Sequence, residues 1–503
     1  MSRAGGWRRQ TILAGLVLIG VWTRVPGLFH NTFQADEALF ATWARLIATW
    51  RDPLLRAALP DKPPFLFYVQ ALVYPLVGPV DWAARLPNWA ASLLAIPLTA
   101  QWAWRLYRER LTALLAAGLM TLSPLAIQFA PTAFLDPWLM LWLLAALAWQ
   151  GRGGRHAAWS GLAFGLAAAT KYQAWLFLPL ALALGWLQLW DRRAWGRWLI
   201  GLTGPVALAL WWGGLGLAAR QWAGYGGIRP IFSWELWPRL AAWGDELLTL
   251  VGSPLVGLAL ILGLPLFLAL LLHDLDRPTA LDQMFILFVG LYLAGHWFTS
   301  AAVTARYWLP LLPVLAVLFG RFAARLLTFM RLPPTPAVHA LLLVAYVAAM
   351  APVAWRARAG AYPVGGSPQA DSGAAQVAAF LADAPYGTVL YDHWFSWHWR
   401  YYFLEQRVFV SWFPHPAALV EDLRVFADER RFIVLPNDDR SLPVRRALID
   451  GGYTLTPVFH TTVEPGLTLY QVRRGLAWNL SEAYGNRVAD SADSIHLQPS
   501  SSL

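Results

Sequence analysis

Hydrophobic and polar positions fall along this chain in long blocks. Apolar runs of about 20 residues, the length that crosses a hydrocarbon core as a helix, recur from residue 10 to residue 355 with short polar or basic loops between them. On that criterion about eleven spans are predicted, at roughly 10–29, 84–105, 111–130, 135–150, 157–170, 173–190, 197–218, 247–272, 281–300, 305–323 and 336–355. Ile12 to Val21 follows Arg3, Arg8 and Arg9 like a signal peptide, but Arg24-Val25-Pro26 stands where a cleavage site is needed. An uncleaved first span is therefore expected. In the long loop 30–83, Leu39, Trp43, Leu46, Ile47 and Trp50 fall at helical spacing. They predict an amphipathic helix over Asp36–Trp50 along the membrane surface.

Beyond residue 356 the pattern changes. Gly360–Ser372 reads as a linker rich in Gly, Pro and Ser. Helical patterns at 373–383, 416–429 and 442–450 then alternate with β-rich runs at Thr388–Tyr391, Val408–Val410, Phe432–Leu435, 453–460 and 467–473, predicting a small α/β domain over 373–478. The polar, Ser-rich stretch 479–503 is expected to be disordered. The predicted fold is an all-α polytopic membrane domain over 1–358, a linker over 359–372 and a C-terminal extracytoplasmic α/β domain.

Composition sharpens this. Only 14% of residues are charged against 58% hydrophobic, where a soluble domain carries about 25% charged. The net charge of +10 comes from arginines in alternate short loops, a positive-inside signal and not a nucleic-acid footprint. If those loops are cytoplasmic, the N-terminus is inside, and the loops 30–83 and 219–246 and the C-terminal domain lie outside a cytoplasmic (inner) membrane that the chain crosses many times. Pro63–Pro79 would invert every later loop if it crossed, so it is read as interfacial or re-entrant. The absence of Cys excludes disulfides, thiolate chemistry and Cys-ligated metals.

The candidate chemistry collects at the predicted outer ends. Asp36-Glu37 is a carboxylate pair just past the first span, where partial desolvation is costly and marks function; acids in a first helical turn are the bland alternative. Lys62 and Lys171 are the two lysines of the chain. An ammonium at Lys62 suits a phosphate, while Lys171 is read as a snorkelling anchor. Asp136 precedes Pro137 at a helix start, where it also serves as a cap. Arg306-Tyr307 opens the tenth span against the positive-inside bias, so Arg306 needs an anion: a phosphate, Asp36 or Asp136. His393 and His398 lack metal-pair spacing and are read as surface or packing residues.

Gln34-Ala35-Asp36-Glu37-Ala38, Asp61-Lys62-Pro63-Pro64-Phe65, Ala84-Arg85-Leu86-Pro87, Phe134-Leu135-Asp136-Pro137, Thr170-Lys171 and Ala305-Arg306-Tyr307-Trp308-Leu309-Pro310 occur in one order. That set, over about residues 10–330, resembles the protein O-mannosyltransferase and lipid A aminoarabinose transferase group of C-type membrane glycosyltransferases. The resemblance implies a sugar on a polyprenyl phosphate as donor and a hydroxyl of an unidentified lipid, glycan or protein as acceptor. It makes Asp36 the base, with Glu37 and Asp136 beside it, and Lys62, Arg85 and Arg306 the phosphate holders. Asp36, Lys62, Asp136 and Arg306 are expected to converge at one outer-face cavity. One base and phosphate-binding cations suffice for an inverting displacement. No cofactor is required, no metal site is assigned, and a divalent cation on the carboxylates is compatible with the chemistry. A lipid-linked polysaccharide polymerase or ligase is the alternative enzyme; a transporter or flippase fits less well, because the span centres are nearly uncharged.

Overall fold

The computed structural model describes residues 3–150, 154–225, 228–251, 277–333, 335–425 and 430–475. The chain forms two compact units, Met1–Pro368 and Gln369–Leu503. The first is helical. Its elements relevant here are α1 (Arg3–His30), α2 (Ala35–Ala48), α3 (Phe65–Ala71), α4 (Tyr74–Val77), α5 (Asp81–Tyr107), α6 (Arg110–Leu122), α7 (Pro124–Phe129), α8 (Leu135–Gln150), α9 (His156–Ala168), α10 (Leu178–Leu187), α11 (Arg192–Tyr225), α12 (Leu236–Val251), α13 (Arg277–Trp297), α14 (Leu312–Phe329) and α15 (Pro336–Arg358). Short 3-10 turns at Tyr172–Phe177 and Ala305–Leu311 lead into α10 and α14.

Among the described residues, four helices are long and apolar enough to cross a membrane: Gln10–His30, Ala280–Trp297, Ala305–Phe329 and Pro336–Arg358. This is a membrane protein. Several other predicted spans are shorter or broken. The run 111–130 splits at Ser123, whose extended backbone separates α6 from α7, because Pro124 has no N–H to continue the ladder. The carbonyls freed there are met by buried Arg24 of α1, which donates to Met120 O at 2.8 Å and Thr121 O at 3.1 Å. Pro63–Pro79 holds only the short α3 and α4. The span expected at 247–272 lies, beyond Val251, outside the described residues, as does the tail 479–503.

Small residues set the closest helix crossing. A Cβ on Gly161 of α9 would stand 1.9 Å from Trp198 O of α11, and one on Gly201 would stand 2.1 Å from Ala158 O. Only glycine permits that approach. The stretch read as a linker is in part held in the first unit. Gln128 donates to Tyr362 O and Val364 O, and accepts from Tyr362 N. Gly365, at φ +67°, leaves no room for a Cβ against Gln128 O.

The second unit is a five-stranded sheet of order β2-β1-β3-β5-β4, formed by β1 (Val389–Asp392), β2 (Phe409–Trp412), β3 (Arg431–Pro436), β4 (Tyr453–His460) and β5 (Leu467–Arg474). β1 pairs parallel with β2 and β3, and β5 runs antiparallel to β3 and β4. Every residue of β1 is buried, because helices cover both faces. Ala374–Phe380 and Ser396–Tyr402 pack on one, Pro416–Val425 and Leu442–Asp450 on the other. His393 stacks on Trp412 and Phe413, and His398 is buried.

Candidate active site

The site is built where three connections meet. Gln34 caps α2, and Glu37, three positions on, returns the bond: Gln34 N donates to Glu37 Oε2 at 3.0 Å in a capping box. This fixes the first turn of α2 and presents Asp36 on its open side. Asn88 of α5 donates to Thr132 O at 2.7 Å and Phe134 O at 2.6 Å, pinning the connection that delivers Asp136 to the start of α8. The turn Ala305–Leu311 delivers Arg306 and Tyr307.

Arg306 Nη1 lies 2.8 Å from Asp36 Oδ2, joining residues 270 positions apart. The Asp36 side chain is 48% exposed and that of Arg306 31% exposed, so this ion pair is open to solvent and to a competing anion. Asp136 also acts electrostatically on Arg306. Its direct partner is Lys171, whose Nζ stands 2.6 Å from Asp136 Oδ1 with both side chains buried. The anchor reading of Lys171 is thereby corrected. Its ammonium does not reach for the interface but neutralises a buried carboxylate and lies 5.0 Å from the centre of the Tyr307 ring. Burial lowers the Lys171 pKa, against the opposing pull of Asp136. Lys62 pairs with Asp61, retains partial exposure, and is close enough to act on Lys171. Asp36, Arg306, Asp136, Lys171 and Lys62 thus form one electrostatic group.

Glu37 and Arg85 stand apart from it. Glu37 is fully buried. Its Oε1 accepts from Ala133 N at 2.6 Å and lies 3.7 Å from Arg85 Nε. Arg85 donates to Asn31 O at 2.6 Å and covers the Phe33 ring. Burial raises the Glu37 pKa, opposed first by Arg85 and then by the two backbone donors. Its environment is that of a brace between the first connection and the one before α8, with neither side chain open to a ligand. Consecutive residues of an α-helix point about 100° apart, so Asp36 faces out while Glu37 faces in.

Beside Tyr307 opens a cavity of about 700 Å³. Trp175, Leu176, Pro179, Leu210, Phe288 and Leu291 give it an apolar wall, and Gln173, Tyr292, His296 and Tyr307 a polar patch. Gln173 donates to Tyr292 Oη at 2.6 Å, which donates to Tyr307 O at 2.7 Å. The sequence reading singled out none of Gln173, Tyr292 or His296. An imidazole inside the apolar run 281–300 was the available signal. Among the described residues no three His, Asp or Glu side chains gather as a metal site.

Comparison with known proteins bears out the resemblance read from the sequence. Residues 61–213 match the family described as dolichyl-phosphate-mannose-protein mannosyltransferase. An undecaprenyl phosphate-alpha-4-amino-4-deoxy-L-arabinose arabinosyl transferase of Pseudomonas aeruginosa is 32% identical over 216 residues, 40% of this chain and 39% of the relative. A second, from Sodalis glossinidius, is 28% identical over 207 residues, 38% and 37% of the two chains. The matches thus span about two fifths of these relatives' length. The fold is that of ArnT from Cupriavidus metallidurans, with TM-score 0.61 and 17% identity over 93% of this chain and 98% of that one in the apo state. Its complex with undecaprenyl phosphate gives 0.60 and 16% at the same coverage. The archaeal oligosaccharyltransferase AglB from Archaeoglobus fulgidus shares the fold more distantly, at TM-score 0.54 and 12% identity over 93% and 75%.

Proposed function

We propose that this chain is a glycosyltransferase that moves a sugar from a polyprenyl phosphate to an acceptor hydroxyl at the outer membrane face. The observation that carries the reading is the Asp36–Arg306 pair, partly open and set beside an apolar cavity with Asp136–Lys171 behind it. The names of the relatives, which act on undecaprenyl-phosphate-linked sugars, support it. The donor's first isoprene units lie against the apolar wall of the cavity, and its phosphate sits among Arg306, Lys171 and Lys62. Phosphate competes with Asp36 for Arg306 and so frees the carboxylate when donor is bound. Asp36 then takes the acceptor's proton as its oxygen attacks the anomeric carbon. The bond from that carbon to the phosphate oxygen breaks, its electron pair goes to the phosphate, and the cations hold the developing charge. Asp136 sets the position and charge of Lys171 and is not placed to be a nucleophile, so one displacement with inversion is proposed. Glu37 and Arg85 brace the site and take no chemical step.

The displacement needs no cofactor, and three cations meet the phosphate's charge; chelator-treated enzyme is expected to retain transfer. The proposed setting is a cytoplasmic (inner) membrane crossed about eleven times, the apolar-block count at about 20 residues per span, with the N-terminus inside. The second unit, outside, reads the lipid, glycan or protein acceptor. Transfer from a radiolabelled polyprenyl-phosphate sugar tests the assignment. Asp36→Asn keeps the size of the side chain but cannot accept the proton at neutral pH, so turnover is expected to fall about 10²–10⁴-fold with donor still bound. Wild-type turnover in that variant removes Asp36 as the base.

A further inference from the structure

The polar patch of the cavity contains one group that the proposed reaction does not use. His296, near the end of α13, lines the cavity with its Nδ1 2.8 Å from Tyr292 O. A carbonyl only accepts, so Nδ1 carries the proton and donates. Three rings fix the imidazole: Tyr292 at 4.4 Å, Trp243 edge-on at 5.6 Å and Tyr307 at 5.6 Å between centroids. Nε2 has no hydrogen-bond partner among the described residues. In the neutral ring it offers a lone pair held in one direction. The ring lies on the side of the cavity nearest the charged group, since Tyr307 packs against both His296 and Lys171.

A half-buried acceptor in the polar patch of a largely apolar cavity is matched by a donor on the ligand. Resting on the polyprenyl-phosphate reading above, the choice of donor narrows. The isoprenoid chain has no N–H or O–H. A phosphodiester is fully ionised at neutral pH and offers only acceptors. The hydrogen-bond donors of such a molecule are therefore on its sugar. We infer that His296 is a specificity-determining residue whose Nε2 accepts a hydrogen bond from a hydroxyl or amine of the donor's sugar, so that the enzyme tells a sugar-bearing lipid phosphate from the bare lipid phosphate left after transfer.

Binding by native mass spectrometry of the full chain tests this without needing the acceptor. The probes are undecaprenyl phosphate, the same lipid carrying 4-amino-4-deoxy-L-arabinose, and the same lipid carrying mannose. Wild-type protein is expected to prefer at least one sugar-bearing lipid over the bare one by up to about 10-fold, the scale of one hydrogen bond. His296→Phe, which keeps the ring packing and removes the acceptor, should erase that preference and leave bare-lipid affinity within twofold. His296→Gln, which keeps an acceptor, should retain part of it. Equal weakening of bare and sugar-bearing lipids in His296→Phe overturns the inference and makes His296 a phosphate or packing group. So does a wild type without preference, or a variant that keeps it. A wild type that binds none of the three lipids removes the polyprenyl-phosphate reading itself, a different failure from loss of selectivity alone.

Discussion

Two of the charged groups described in the helical unit are each built on an arginine paired with an aspartate. One surrounds Arg306, at the start of its segment; the other surrounds Arg321, further along in α14. Arg321 is saturated. Its Nε lies 3.2 Å from both oxygens of Asp282, its Nη2 3.1 Å from Asp282 Oδ2 and its Nη1 2.5 Å from Glu109 Oε1. Its guanidinium covers the Tyr107 ring at 4.3 Å, and Arg325 stands 3.9 Å from the same aspartate. Asp282 is wholly buried. The Arg321 guanidinium itself, 3% exposed and bonded on all three nitrogens, is closed to a ligand. Arg306, by contrast, has one carboxylate at hydrogen-bond distance, and both partners remain partly in solvent beside a cavity. A buried arginine whose bonds are complete fastens helices α5, α13 and α14. One whose bonds are incomplete next to an open cavity can exchange partners, which is what chemistry requires.

The comparison breaks first if the saturated cluster proves functional. Arg321→Met strands buried Asp282, and removing one partner of a buried pair costs about 3–5 kcal/mol. A large drop in melting temperature in detergent is expected, with the turnover of the surviving folded fraction unchanged. Asp36→Asn should do the reverse: little change in melting, and a loss of turnover worth about 3–5 kcal/mol of barrier. Turnover lost per folded molecule in Arg321→Met would show that the fastening group also serves the reaction.

Asp136–Lys171 lies between the two cases: buried like the fastener, and adjacent to the cavity like the site. Lys171→Met leaves Asp136 charged and unpaired, at a cost of about 3 kcal/mol. Adding Asp136→Asn removes the stranded charge, so the double variant should recover more than half of the lost stability. It should not recover transfer, because the phosphate still lacks that ammonium. Recovery of both would reduce the pair to a structural one.

How much of this was legible in the sequence depends on the kind of statement. α2 was readable from its apolar spacing and acidic first turn, and the strands of the second unit from their β-branched and aromatic runs; observed β4 and β5 begin at the expected residues. The helix Ser396–Tyr402 was not readable, since it has only seven residues and Ser396 and Arg400, one turn apart, are too short a polar stripe to establish a period. In the site, residue types were legible and pairings were not. Arg306 needed an anion, and Asp36 and Asp136 both qualified. The choice was made by Lys171, whose burial against Asp136 no local pattern announces. Glu37 looked like a partner of Asp36 because the two are adjacent, yet on a helix adjacency separates side chains.

Lys62 gives the smallest effect and the finest test of the contrast. Its described ion pair is with Asp61, on an exposed connection, and such pairs contribute about 0–1 kcal/mol. Lys62→Ala should therefore leave melting nearly unchanged. If the ammonium serves the donor phosphate, the variant should bind a polyprenyl-phosphate sugar about 10-fold more weakly, the scale of one charge-assisted contact at a partly exposed site. Lys62→Arg should restore part of that, because it keeps the charge while changing its geometry. The wild-type advantage should also shrink as ionic strength rises, since salt screens an exposed cation and phosphate more than a buried pair. A snorkelling anchor predicts the opposite on every count: donor affinity the same in Lys62→Ala, no difference between Ala and Arg, and no salt dependence of the ratio. Donor binding measured at low and high salt on the three proteins decides whether the open cluster extends to Lys62 or ends at Lys171.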